Sequence, residues 1–293
     1  MPDTQWNTLR DRVLQKVLNI PEDEVLNHTS MLHTIPVQAT NSSVALQKML
    51  EKILEIGHIT PAGMLDYKAI KKDNTFQFDF VPLVNQLKYF DPASLASRNE
   101  RLAFWINLYN AMILHAVLSY DVKESVNEGR WGAAAFFQRA AYEVFQQRVS
   151  ADDIEHGILR ANQGQLMMPG KHFAMEDARH AWVIFPMEPH IHFALHCASK
   201  DSPAMQVYYP ATLEKQLDQA VIRYLRRETE INGGEITLLL PNMLKWVQHD
   251  LGGQDKILEM LIEALPEEAN LLRQYFERWK IKYKAYDWAL NQS

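Results

Sequence analysis

The stretch that most constrains the fold starts at Ser97-Arg98-Asn99-Glu100 and runs on through Arg101 to Ser119. Its first four residues match the S-x-x-E capping box, in which the serine and the glutamate satisfy each other's free backbone N–H groups at a helix start. Apolar residues then fall on every side at helical spacing: Leu102, Phe104, Trp105, Ile106, Leu108, Met112, Ile113, Leu114, Val117 and Leu118. A helix that is apolar all round is packed on all sides, so the rest of the chain is expected to wrap it. Asn107 and Asn110 lie one turn apart on this helix. A buried amide without partners costs about 1–3 kcal/mol. The two asparagines therefore either brace neighbouring backbone or line a site.

The remainder of the chain reads as an α+β domain. Helical periods run over Thr4 to Leu18, Ser42 or Ser43 to Ile56, Thr212 to Arg226, Met243 to Leu251, Ile257 to Leu265 and Glu267 to Trp279. Strand signals are few and scattered: Tyr142 to Phe145, Trp182 to Phe185, Ile191 to Cys197, Ile236 to Leu240 and an edge strand near Ile281 to Trp288. Many helices with isolated strands, and no regular βα alternation, predict a helix-rich single domain around a small antiparallel or mixed sheet. Residues 1–58 are expected as an N-terminal helical appendage and 59–293 as the main domain. Gln163 to Ala174, with Met167 and Met168, is expected to be a long connecting loop.

The segment Ile191 to Cys197 draws the chemistry. Ile191, Phe193 and Leu195 alternate with His192, Ala194 and His196, which is the period of a strand. Cys197, the only cysteine, then falls at the strand's end, where a rigid element aims side chains at a cleft. The opposite reading is that a lone cysteine simply packs. Ser150-Ala151-Asp152-Asp153 is a second capping box. In the helix expected after it, at about 100° per residue, Glu155 falls inside the stripe of Ile154, Ile158 and Leu159, and His156 on its flank. A carboxylate on a buried face is costly unless paired, so Glu155 stands out on geometry alone.

Several segments together resemble the DUF547 family, a domain of unknown function. Arg101-Leu102-Ala103-Phe104-Trp105-Ile106-Asn107-Leu108-Tyr109-Asn110-Ala111 is similar to its signature helix. Gly63 to Tyr67 looks like its G-x-V-D-Y element, and Ile154 to Arg160 like its I-E-H-x-I-L-R helix. Glu188 to Cys197 resembles its D-P-R-x-H-F-A-L-x-C segment, followed by Ser202-Pro203; Tyr286 to Asn291 resembles its closing Y-D-W-x-L-N. The likeness spans about residues 60–291 in order. Two positions depart from it: His190 stands where the family usually has arginine, and Ala198 where it often has glycine.

Two function classes follow. The first is a cysteine-dependent hydrolase or acyl transferase acting on an amide, ester or thioester. Cys197 would be nucleophile, His156 its base and Glu155 the orienting group. Asn107, Asn110, His192 and Ser202 would stand in the wall of the site, an asparagine serving as oxyanion donor. With histidine before cysteine in the chain, this is a permuted papain-like arrangement. The second is a non-catalytic module that binds a ligand or protein and is held by a buried Glu/His/Cys network. Plant members of the family are fused to coiled-coil segments, which suits this second class. A metal site from Glu155, His156, His192 and Cys197 is a weaker third. Net charge −6 and a pI near 6.0 argue against nucleic acid or an anionic membrane as the main partner. A single cysteine, no basic-then-apolar leader and no long uninterrupted apolar run predict a soluble cytoplasmic protein. No Gly-rich phosphate loop, H-E-x-x-H or paired C-x-x-C occurs, so no cofactor or metal is expected. Its substrate would be a small molecule or peptide.

Overall fold

The computed structural model describes residues 9–21, 24–28, 42–165 and 170–293. The expected first turn of the N-terminal helix, most of the irregular connection up to Thr40, and Met167 and Met168 lie outside the described residues. In chain order the α-helices are α1 (Leu9–Leu18), α2 (Ser42–Ile56), α3 (Tyr67–Lys72), α4 (Val81–Asn85) and α5 (Arg98–Ser119). There follow α6 (Gly132–Arg139), α7 (Leu213–Glu228), α8 (Asn242–Trp246), α9 (Gln254–Ala264) and α10 (Ala269–Gln274).

Helix α5 is the axis. Both halves of its capping box are present: Ser97 Oγ accepts from Glu100 N at 3.1 Å and Glu100 Oε2 accepts from Ser97 N at 2.8 Å. Every residue from Leu102 to Leu118 is buried. This helix is long and apolar enough to cross a membrane by composition, but here its apolar surface is spent inside the domain. Phe90, Phe104, Trp105 and Trp182 pack at tilted and edge-on angles around its first half. His115, in its second half, sits edge-on to Phe76 and Phe80 and touches Tyr142 Oη at 3.0 Å. Burial pushes its imidazole down to about 4. From the N-terminal 58 residues, Leu46, Leu50, Ile53 and Leu54 of α2 belong to this same core. A second core, formed by Phe193, the C-terminal half of α7, α8, α9 and the strands near the C-terminus, joins the first along α7.

Two small sheets complete the α+β fold. Strands β1 (Ala141–Val144) and β2 (Gln147–Ser150) form an antiparallel hairpin whose two-residue loop, Phe145-Gln146, takes positive φ at both positions. Strands β3 (Glu230–Asn232), β4 (Thr237–Leu240) and β5 (Lys280–Tyr283) form a mixed sheet, with β3 antiparallel and β5 parallel to the central β4. The expected edge strand is thus β5, while Tyr286 to Trp288 runs on outside the sheet.

Two expected strands are not strands. Pro189–Phe193 is a 3₁₀-helix that opens on Pro189, and the side chain of Glu188 caps it by accepting from His190 N. Residues 191–196 are buried on all sides, so the alternation has no solvent face to record and a tight coil serves as well as a strand. Ala178–Trp182 is likewise 3₁₀, and Val183 to Phe185 lies outside any sheet. Cys197 therefore follows a helical turn within the core rather than the end of a sheet strand.

Candidate functional site

Cys197 is half-buried at the meeting of three segments. The 3₁₀ turn delivers it from one side. From another, Asn110 on α5 holds the chain on either side of Leu195: its Nδ2 donates to Ala194 O at 3.1 Å and its Oδ1 accepts from His196 N at 2.9 Å. The third is the C-terminal stretch, tied down by Lys200 N to Ala289 O at 2.9 Å and Asn291 N to Ala198 O at 3.2 Å. Ala198 has φ 59°, the left-handed region that glycine enters without steric cost.

The thiol's neighbours are hydroxyls. Sγ lies 3.2 Å from Ser199 Oγ and 3.1 Å from Tyr286 Oη, which are themselves 2.8 Å apart. The Cys197 amide donates to Ser202 Oγ at 2.8 Å. Burial first, and then the nearby Cys197, push the Tyr286 and Tyr67 phenols well above their ordinary range. Tyr109 is raised too, by burial and then by the charges of Glu155 and Cys197. Tyr109, on α5, thus feels both the acid and the thiol. Among the described residues, no imidazole or other cationic group is within hydrogen-bonding distance of Sγ.

Glu155 and His156 arrive on a different element. The second capping box forms as expected, with Ser150 Oγ and Asp153 Oδ2 2.7 Å apart and Asp153 N donating to Ser150 Oγ at 3.1 Å. The turns after it are wide: Asp153–Leu159 is a π-helix. Gly157 lets this segment press against the Phe173 ring, where an added Cβ would stand 2.3 Å from a ring carbon. In the wider helix Glu155 swings partly outward, its side chain 23 % exposed, with His156 Nδ1 4.0 Å from its carboxylate. Ile154, Ile158 and Leu159 are fully buried as expected.

His156 is already engaged. Arg160 Nη1 lies 3.1 Å from His156 Nδ1. A guanidinium can only donate, so Nδ1 must accept and the ring proton belongs on Nε2, which points to Asp152 Oδ1 at 3.7 Å. The same Arg160 grips Asp250 with two bonds, Nε to Oδ2 at 2.6 Å and Nη2 to Oδ1 at 3.0 Å, and also donates to Gly164 O. Asp250 in turn takes His192 Nε2 at 2.9 Å. Against its burial, His192 and Arg160 hold the Asp250 carboxyl well below the usual carboxylate range. A second buried cluster abuts this chain: Asp153 binds His172 Nε2 at 2.7 Å and Arg179 Nη1 at 3.1 Å. Arg179 also pairs with Asp177 and, at 2.5 Å, with Asp11 of α1.

The structure thus places Glu155 beside His156, and Tyr109 near both Glu155 and Cys197. Among the described residues no hydrogen bond or ion pair joins His156 to Cys197. His192 faces Asp250, and Ser202 holds the Cys197 amide. Asn107 braces Tyr208, donating to its carbonyl at 2.8 Å and accepting from its N–H at 2.9 Å. Both asparagines therefore take the bracing role. Among the described residues no group of three or more His, Cys, Asp or Glu side chains is arranged to hold a metal ion. His190 meets Asp218 at 3.2 Å near the surface. Sequence reasoning missed Tyr286, Ser199 and Asp250. The Tyr-Asp-Trp run was a usable signal for the first; nothing in the sequence singled out Asp250. Replacing Asn110 with alanine should cost about 1–3 kcal/mol by orphaning two buried backbone groups. Because those groups hold the turn before Cys197, iodoacetamide should alkylate the variant faster than wild type; unchanged stability and rate would remove Asn110 from this role.

Fold and site together define a helix-rich α+β domain with a thiol set among hydroxyls and a neighbouring buried ionic network. Residues 92–225 match the family described as "Protein of unknown function, DUF547". That span holds α5, the π-helix and the Cys197 turn. Tyr286 and Asp250 lie outside it. No curated protein and no solved structure matches the chain.

Proposed function

We propose that the domain is a non-catalytic binding module in which the Glu155, His156 and His192 group is structural. One observation carries this: the His156 lone pair that a base would use is occupied by Arg160, whose charge is in turn answered by Asp250. A nucleophilic thiol needs a base or cation against it, and the partners of Cys197 are Ser199 and Tyr286. Cavities of about 670 Å³ beside Tyr120 and about 510 Å³ beside α7 include none of Cys197, His156 and Glu155 in their linings. A cysteine-dependent hydrolase is the competing proposal, favoured by a buried Tyr109 phenol that feels both Glu155 and Cys197. Turnover of p-nitrophenyl acetate and of a thioester by wild type and by Cys197→Ala decides between them. The module predicts equal background rates and retained folding in both proteins. Turnover that disappears in Cys197→Ala overturns it.

A further inference from the structure

The cavity of about 510 Å³ lies along α7, within the roughly 300–1,000 Å³ range of small-molecule sites. Its lining includes the apolar Phe193, Pro203, Ala204 and Ala220 together with Arg223, Arg226 and Arg227. These arginines fall on one face of α7 by their i, i+3, i+4 spacing. Arg227 is committed: it donates to Ala62 O at 3.0 Å and Ser202 O at 2.7 Å, and pairs with Glu228 at 2.5 Å. It ties α7 to Ala62 and Ser202 with its charge answered. The other two are held only by neutral acceptors, Arg223 by Gln206 Oε1 at 2.7 Å and Arg226 by Ala264 O at 2.7 Å. Neither makes an ion pair among the described residues. Two oriented guanidiniums without a carboxylate therefore line a largely apolar hollow, in a chain of net charge −6.

We propose that this cavity binds a small amphiphilic anion, with a carboxylate or phosphate monoester between Arg223 and Arg226 and an alkyl chain over Phe193 and Ala220. The proposal rests on the domain being a binding module, and it names that module's ligand class. Guanidiniums recognise both headgroups through charge-assisted, often bidentate bonds, and the apolar lining supplies the area that inorganic phosphate cannot use.

Calorimetric titration of the full chain carrying Cys197→Ala tests it, with octanoate, octyl phosphate, inorganic phosphate and the neutral octyl glucoside as probes. Saturable binding of at least one octyl anion is expected, with octyl glucoside and inorganic phosphate much weaker; the tighter of the two anions identifies the headgroup. Arg223→Gln combined with Arg226→Gln should weaken it about tenfold or more, and Ala220→Leu, which adds bulk to the apolar lining, should weaken it independently. Both arginines are exposed, so the double variant keeps its fold. No saturable binding of either octyl anion, equal binding of octyl glucoside or inorganic phosphate, or undiminished binding in both variants overturns the proposal. Cys197-dependent turnover by wild type would instead defeat the non-catalytic reading while leaving this titration result standing.

Discussion

Replacing Trp105 with alanine lowers the stability of the domain by about 3–5 kcal/mol. The indole is fully buried on α5, with the Phe104 ring at 5.1 Å and the Trp182 ring at 5.7 Å. Both the transfer free energy of the ring and the cavity it leaves contribute, because close-packed neighbours on every side of α5 collapse only in part. Chemical denaturation of the two proteins measures the difference. A soluble variant with unchanged unfolding would place Trp105 outside the core and remove α5 from the centre of the fold.

The second large effect lies in the ionic chain. Arg160→Met leaves the buried Asp250 carboxylate with His192 and the exposed His249, 3.8 Å away, and releases His156 Nδ1. Breaking one side of a buried pair costs about 3–5 kcal/mol, since the remaining charge is desolvated without its partner. Arg160→Met combined with Asp250→Leu should cost clearly less than the sum of the two single changes, because the second removes the stranded charge. Additive losses would mean that Arg160 and Asp250 do not act as a pair.

The central helix was the most legible part of the chain, because its cap and its burial are both local. Ser97 and Glu100 are three residues apart, and an all-round apolar face needs no knowledge of the partner. The same holds for the Ser150 and Asp153 box. The segment from Ile191 to Cys197 misled for a physical reason: alternation signals a strand only when one face meets water, and here both faces meet protein. The π-helix carrying Glu155 misled differently. Its i→i+5 turns are wider than the α-turns assumed in placing side chains at about 100° per residue, so Glu155 sits further out of the apolar stripe. Glu155 and His156 were legible as an unusual pair, but their partners were not. Asp250 is 90 residues from Arg160 in sequence, and Asp11 is 168 from Arg179. No local period encodes such pairings. Tyr109 and Tyr286 were visible within motifs, yet their nearness to Cys197 depends on how α5 and the C-terminal stretch cross the 3₁₀ turn.

His156 serves the ionic network and not the thiol. The most direct test is nitrogen-15 NMR of the His156 ring in wild type and in Cys197→Ala at neutral pH. An acceptor Nδ1 and a protonated Nε2 are expected, unchanged when the sulfur is removed and altered by Arg160→Met. A ring whose protonation pattern changes on Cys197→Ala, and is indifferent to Arg160→Met, would contradict this assignment and restore His156 as the partner of the thiol.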